Sequence, residues 1–156
     1  MQQLQVEHAK WLASKYPNQP PRIPAIGCLE EAGELVHAIL KLEQVEVWGE
    51  DNRHKVSELR AKLADAIGDC GIFACSLCNS SGWDFAALWA ESTFQYGYKD
   101  AMDTAIGLTE FGCKLARTSD KIHLVAYLGN LKLVAQFLGL DATACIKNTW
   151  ETVKCR

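Results

Sequence analysis

The chain has 156 residues, 49% of them hydrophobic and 22% charged, with a formal net charge of −3. That length makes a single domain able to bury a core without staples. The charge balance, with basic residues scattered singly, excludes non-specific binding to nucleic-acid polymers. No run approaches the roughly 18 uncharged apolar residues of a membrane span, and Met1-Gln2-Gln3-Leu4 lacks a charged and an apolar region of the secretory type. A cytoplasmic protein with no membrane partner is the expectation.

Leu4, Ala9, Trp11 and Leu12 predict a short amphipathic first helix that stops before Pro17. Pro17, Pro20, Pro21 and Pro24 follow closely and predict an extended connector. A second helix is expected over residues 25–44, a polar loop carrying Gly49 over 46–52, and a third helix over 55–79. Ser80-Ser81-Gly82 is a helix stop, and Asp84 then caps a fourth helix running to residue 96. No segment alternates with period two, so the chain reads as all-α, a helical bundle. The third helix holds Ala61, Ala64, Ala66, Gly68, Gly71 and Ala74. Interior glycine costs ~1 kcal/mol against alanine, so Gly68 and Gly71 call for a close neighbour, either a helix or a ligand beside Asp69.

The 7 cysteines, an odd number without a secretory signal, read as reduced thiols. Cys75 and Cys78 form a C-x-x-C, but within an apolar helical run and without a second pair, so they read as small core residues.

The strongest chemical signal is acidic. Glu30, Glu31 and Glu34 stand at helical spacing in Leu29-Glu30-Glu31-Ala32-Gly33-Glu34-Leu35, and Asp65 and Asp69 are i and i+4 in Asp65-Ala66-Ile67-Gly68-Asp69. Carboxylates within apolar helices are costly unless a cation neutralises them. Several converging between two helices make a site for a hard divalent cation, Mg²⁺ before Zn²⁺. The alternative is a solvated acidic face. Against it stands the third helix, which carries no other charge from Ala64 through Ser81.

Residues 99–156 read as a worn copy of residues 1–98, giving two similar helical halves around one core. Gly107-Leu108-Thr109-Glu110-Phe111-Gly112-Cys113 lies on Cys28 through Glu34, Tyr127-Leu128-Gly129-Asn130 on Ala66 through Asp69, and Gly139-Leu140-Asp141 on Gly82-Trp83-Asp84. In the copy only Glu110 keeps an acid; Thr109, Cys113, Ala126 and Asn130 replace the others.

The string from Trp11 through Gln19-Pro20-Pro21 to Gly27-Cys28-Leu29-Glu30-Glu31-Ala32-Gly33-Glu34-Leu35-Val36-His37-Ala38 resembles the opening of the MazG-like, all-α nucleoside triphosphate pyrophosphohydrolases. Asp65-Ala66-Ile67-Gly68-Asp69, with Gly82 and Asp84 beyond it, resembles their second motif. The family pattern is E-E-x-x-E on one helix and E-x-x-D on the next. Here the position three before Asp69 is Ala66, and Asp65 stands in one residue earlier.

The resemblance implies hydrolysis of a nucleoside triphosphate between its α and β phosphates, giving a monophosphate and pyrophosphate, as nucleotide housecleaning. It implies Mg²⁺, with Mn²⁺ as a substitute, held by Glu31, Glu34 and Asp69, with Asp65 a fourth ligand or an outer acceptor. Glu30 orients or deprotonates the attacking water, with Glu30 and Glu31 interchangeable in role. Lys41, Lys55 and Lys62 are candidate phosphate contacts. Trp11 and Trp48 are candidates to stack on a base, His37 to bond a ligand carboxylate, and Asn79 to read sugar or base. Each has a bland counterpart: Trp11 as helix packing, His37 as a satisfied histidine, Asn79 as a helix-end cap. The implied assembly is a homodimer or a pseudo-dimer within one chain.

Two rival readings remain. Glu34-x-x-His37 fits half of a di-iron carboxylate motif, with Asp51-x-x-His54 and Asp120-x-x-His123 as its possible partners. A catalytically degenerate nucleotide-binding or interaction protein of the same fold fits the worn second half.

Overall fold

The computed structural model describes residues 1–48, 53–93 and 97–155, with the backbone alone at 46, 48, 53 and 54. The described residues are all-α, in the order α1 (Gln2–Lys15), α2 (Arg22–Trp48), α3 (Arg53–Ser81), α4 (Phe85–Glu91), α5 (Ala101–Thr118), α6 (Lys121–Phe137) and α7 (Ala142–Val153). α2 packs on α3 and on α5, α5 on α6, and α3 on α7, with α1 lying on α3 and α4. One continuous core joins Leu4 of α1 to Leu35, Ile67, Phe85, Leu108, Tyr127 and Ile146 of the following helices. No single helix is long and apolar enough to cross a membrane among the described residues.

The helix boundaries differ from expectation at the prolines. α2 begins at Arg22, so Pro24 lies within its first turn rather than in a connector. The Ala25 amide bonds the Pro21 carbonyl at 3.2 Å, which opens the helix at Pro21. A proline in the first turn loses no intrahelical bond, because the N–H it lacks has no partner there. α2 and α3 also overrun their expected limits of 25–44 and 55–79 at both ends. The expected loop over 46–52 is therefore helical at 46–48; residues 49–52 lie outside the described residues. α4 stops at Glu91, short of residue 96, with the Ser92 amide closing on the Leu88 carbonyl. Residues 94–96 are likewise outside the described residues.

Aspartate starts four of the helices. Asp84, Asp100, Asp120 and Asp141 each accept a backbone N–H of the first turn, which satisfies an otherwise orphan donor. Two of these caps follow the same stop. Gly82 (φ +70) and Gly139 (φ +69) adopt the left-handed conformation, and the next residues, Trp83 and Leu140, bond back to Cys78 and Ala135 at 2.9 and 2.8 Å. This six-to-one closure is the Schellman geometry that glycine permits.

The interior glycines of α3 answer to a helix. A Cβ on Gly68 would fall 2.7 Å from Thr149 Cβ and 2.9 Å from the Cys145 carbonyl oxygen, and one on Gly71 would collide with Ile146. Both allow α7 to lie directly on α3.

Candidate functional site

Helical spacing sorts the acids of α2 onto two faces. Glu30 and Glu34, one turn apart, face a cleft of about 540 Å³ between α2 and α3, together with Gly33, His37, Ala38 and Lys41. α3 supplies the opposite wall with Leu59, Lys62, Asp65, Ala66 and Asp69. Glu31, about 100° further round the helix, faces instead a second cavity of about 640 Å³ beneath α1. Asp69 lines both. The two spaces therefore meet at an acidic junction.

Glu30, Glu34 and Asp65 are exposed at the cleft rim, whereas Glu31 and Asp69 are half-buried. Burial, and then the charges of Asp69, Glu34, Glu30 and Asp65, push the Glu31 carboxyl up to about 7. Lys41 and Lys62 are the basic residues on the cleft wall, so carboxylates outnumber cations there. Gly33 is part of the opening: a Cβ on it would meet nothing within 4 Å. Its counterpart in the sequence alignment, Gly112, is closed over, with a Cβ position 3.0 Å from Leu29 Cα.

The second cavity is aromatic. His8, Trp11 and Tyr16 come from α1 and the turn after it, Ile72, Phe73 and Ser76 from α3, and Val153 from α7. Trp11 meets Tyr16 and Trp150 edge-on, with ring centroids 6.0 and 6.1 Å apart. Trp150 is fixed by its own indole N–H, which donates to Glu7 Oε2 at 3.0 Å.

A buried polar network anchors α1 behind this wall. The Phe85 amide donates to Gln5 Oε1 at 2.8 Å, which orients that side chain, and Gln5 Nε2 donates to Asn79 Oδ1 at 3.2 Å. Asn79 Nδ2 therefore points at His8 Nδ1, 3.0 Å away. His8 must accept there and carry its proton on Nε2, which donates to Ser76 Oγ at 3.1 Å. His8, Ser76 and Asn79 have the outline of a nucleophilic triad, but with the proton on Nε2 the imidazole cannot take one from Ser76. The network is a fastening. Burial holds His8 neutral, with its pKa lowered to about 4.

Seven of the residues singled out from sequence thus share one cleft: Glu30, Glu34, His37, Lys41, Lys62, Asp65 and Asp69. Glu31 and Trp11 line the adjoining cavity. Asn79 lines neither, and its amide is engaged by Gln5 and His8. Lys55 is exposed and lines neither. The Trp48 side chain and Asp51 are outside the described residues. Asp120, the suggested di-iron partner, is spent as the α6 cap. Cys75 and Cys78 are buried thiols whose ionisation burial opposes, that of Cys78 pushed up to about 12. Among the described residues, no three His, Cys, Asp or Glu side chains already converge as a metal cage.

Sequence reasoning missed the aromatic cavity. His8 and Trp11, three apart on α1, were a legible shared face; Tyr16, Phe73 and Ile23 join it only through the fold. Comparison of the chain with protein-family models, curated proteins and solved structures finds no match.

Proposed function

We propose that the protein is a Mg²⁺-dependent nucleoside triphosphate pyrophosphohydrolase of the MazG-like type, cleaving (d)NTP to (d)NMP and pyrophosphate. The observation that carries this reading is the junction at Asp69, where an acidic cleft with two lysines opens into an aromatic cavity. A nucleotide has the matching halves. Its base stacks against Trp11, Tyr16 and Phe73, a contact worth about 1–3 kcal/mol per base. Its triphosphate extends past Glu31 and Asp69 toward Lys41 and Lys62.

The donor set fits a hard divalent cation, because all the candidate ligands are carboxylates; burial, and then the charges of the neighbouring carboxylates, keep the proton on Glu31 up to about 7. Glu31, Glu34 and Asp69 would hold it, with Asp65 beside them. Mg²⁺, when bound, neutralises the triphosphate and makes water a stronger nucleophile at neutral pH. The chain's own part is positional. The aromatic walls fix the base, and the lysines hold the β and γ phosphates. Glu30, on the cleft wall, orients the attacking water toward the α phosphate. Positioning and charge stabilisation are most of what phosphoryl transfer requires. The acidic half, residues 1–98, is the catalytic one in this reading, and residues 99–156 are its degenerate partner, supplying a pseudo-dimer's second hairpin.

A non-catalytic nucleotide binder of the same fold is favoured by one observation, that Ala66 stands where the second motif has its first acid, with Thr109, Cys113, Ala126 and Asn130 replacing the acids in the second half. Turnover separates the two. Pyrophosphate release is measured from a panel of NTPs and dNTPs with Mg²⁺, with EDTA, and with Asp69→Ala. Metal-dependent release that Asp69→Ala abolishes supports the enzyme. No turnover by folded, Mg²⁺-loaded protein on any nucleotide refutes it.

A further inference from the structure

Gly27 lies in the second turn of α2, midway between Ile23 and Glu31 at steps of four, so the three share one face of the helix. Ile23 and Glu31 both line the cavity beneath α1. Between them the ring of Phe73, from α3, takes the place that a side chain at 27 would fill. A Cβ there would overlap the ring, 2.8 Å from its Cγ and nearer still to Cδ1 and Cε1. Phe73 is half-buried and lines the cavity, so its ring is recessed into the gap that Gly27 leaves in the α2 wall.

Gly27 stands one turn before Glu31 on α2, and Phe73 one turn after Asp69 on α3, so the recess lies about 5.4 Å along each helix from the acidic junction. Packing a hairpin of this kind does not demand glycine at that point. The alignment of the two halves puts Ile106 at the matching position of α5, and Ile106 is exposed. A methyl at 27 would drive the Phe73 ring off α2, and the open side available to the ring is the cavity. The space between Phe73 and the wall that carries Trp11 would narrow.

We propose that Gly27 and Phe73 determine the size of the base the cavity takes: with no side chain at 27, the Phe73 ring lies back against α2 and leaves width for a bicyclic base as well as a single ring. The proposal rests on the nucleotide reading given above.

The test is calorimetric titration of the full chain, with Mg²⁺, by the α,β-methylene analogues of dATP and dUTP, whose P–C–P link is not hydrolysed. Wild type is expected to bind both. Gly27→Ala is expected to raise the Kd of the adenine probe at least about 10-fold more than that of the uracil probe, since one methylene too many in an apolar pocket discriminates by about 10–200-fold. Gly107→Ala controls for overpacking in general. It sets a methyl 2.7 Å from Cε1 of the Tyr98 ring, and neither residue lines the cavity; the ratio of the two Kd values should stay within about twofold of wild type. Gly27→Ala/Phe73→Leu removes the ring that the methyl displaces and should restore the ratio. An unchanged ratio in Gly27→Ala overturns the proposal, as does an equal shift in Gly107→Ala or a double variant no better than Gly27→Ala. Wild type that takes only one of the two probes also overturns it. If Gly27→Ala does not fold, Phe73→Trp narrows the space from the α3 side; a raised adenine-to-uracil Kd ratio then supports the proposal and an unchanged one overturns it. Wild type that binds neither probe refutes the nucleotide reading itself, and needs no variant to be recognised.

Discussion

Alanine at Gly33 is expected to stabilise the protein, and alanine at Gly68 to destabilise it, although both positions are helix interiors. In an unobstructed helix the exchange gains about 0.5–1 kcal/mol, because glycine loses more backbone freedom on folding. At Gly33 nothing stands within 4 Å of the new methyl, so the whole gain is retained. For a chain of this size that raises Tm by roughly 2–4 °C per kcal/mol. At Gly68 the methyl meets Thr149 and, at 2.9 Å, the Cys145 carbonyl oxygen. Rotating Thr149 does not clear the backbone carbonyl, so α7 must shift. Overpacking of this kind costs about 1–3 kcal/mol, which leaves a net loss of up to about 2.5 kcal/mol once the propensity gain is subtracted. Urea denaturation followed by far-UV circular dichroism reads both as shifts of midpoint at constant slope. A lowered midpoint for Gly33→Ala, or a raised one for Gly68→Ala, would refute the reasoning. Because the Gly33 methyl projects into the acidic cleft, the proposed pyrophosphohydrolase function leads us to expect slower nucleotide turnover from the stabilised variant.

Other expectations concern charge and thiols. His8 is held near 4 against an ordinary 6.5, so the unfolded chain takes up the proton first as pH falls. Its contribution is intact above 6.5 and is lost progressively between 6.5 and 4, to a total of about 3 kcal/mol. Urea stabilities across that window should show the slope, and His8→Gln should flatten it; an unchanged slope would rule the histidine out. Glu31 acts with the opposite sign. Its pKa is raised from 4.5 to about 7, so its favourable contribution is complete below 4.5 and disappears as pH rises through 7 in cation-free protein. Thermal melts should accordingly show Mg²⁺ stabilising the wild type more in mildly alkaline than in mildly acidic buffer, and Glu31→Gln losing most of that difference. Equal Mg²⁺ effects at both pH values would contradict the site. Cys113 and Cys155 are exposed while the other five thiols are buried; a chromogenic disulfide reagent should titrate two thiols in native protein and all 7 in urea.

Much of the local architecture could be read from the chain because it depends on residues close in sequence. Gly82 and Gly139 end helices by taking a left-handed φ, and Asp84 starts one by accepting from Ala87; both devices act within a few residues. The same holds for the acidic stripe, since Glu30 and Glu34, or Asp65 and Asp69, share a face through helical spacing alone. Pro24 was misleading because proline breaks a helix only beyond its first turn, and which turn it occupies depends on where Pro21 opens α2. What the tertiary structure alone decided is how the faces meet. Sequence spacing separates Glu31 from Glu30 by a third of a turn, but only the docking of α1 makes that separation two cavities joined at Asp69. Sequence asks why Gly68 is tolerated, and only α7 lying against it answers. Asn79 carries two donors and an acceptor whichever way the chain folds; its use in fastening α1 came from Gln5 and His8, more than seventy positions away. Local backbone preference is encoded residue by residue, whereas cavities and buried networks exist only where distant segments exclude water together.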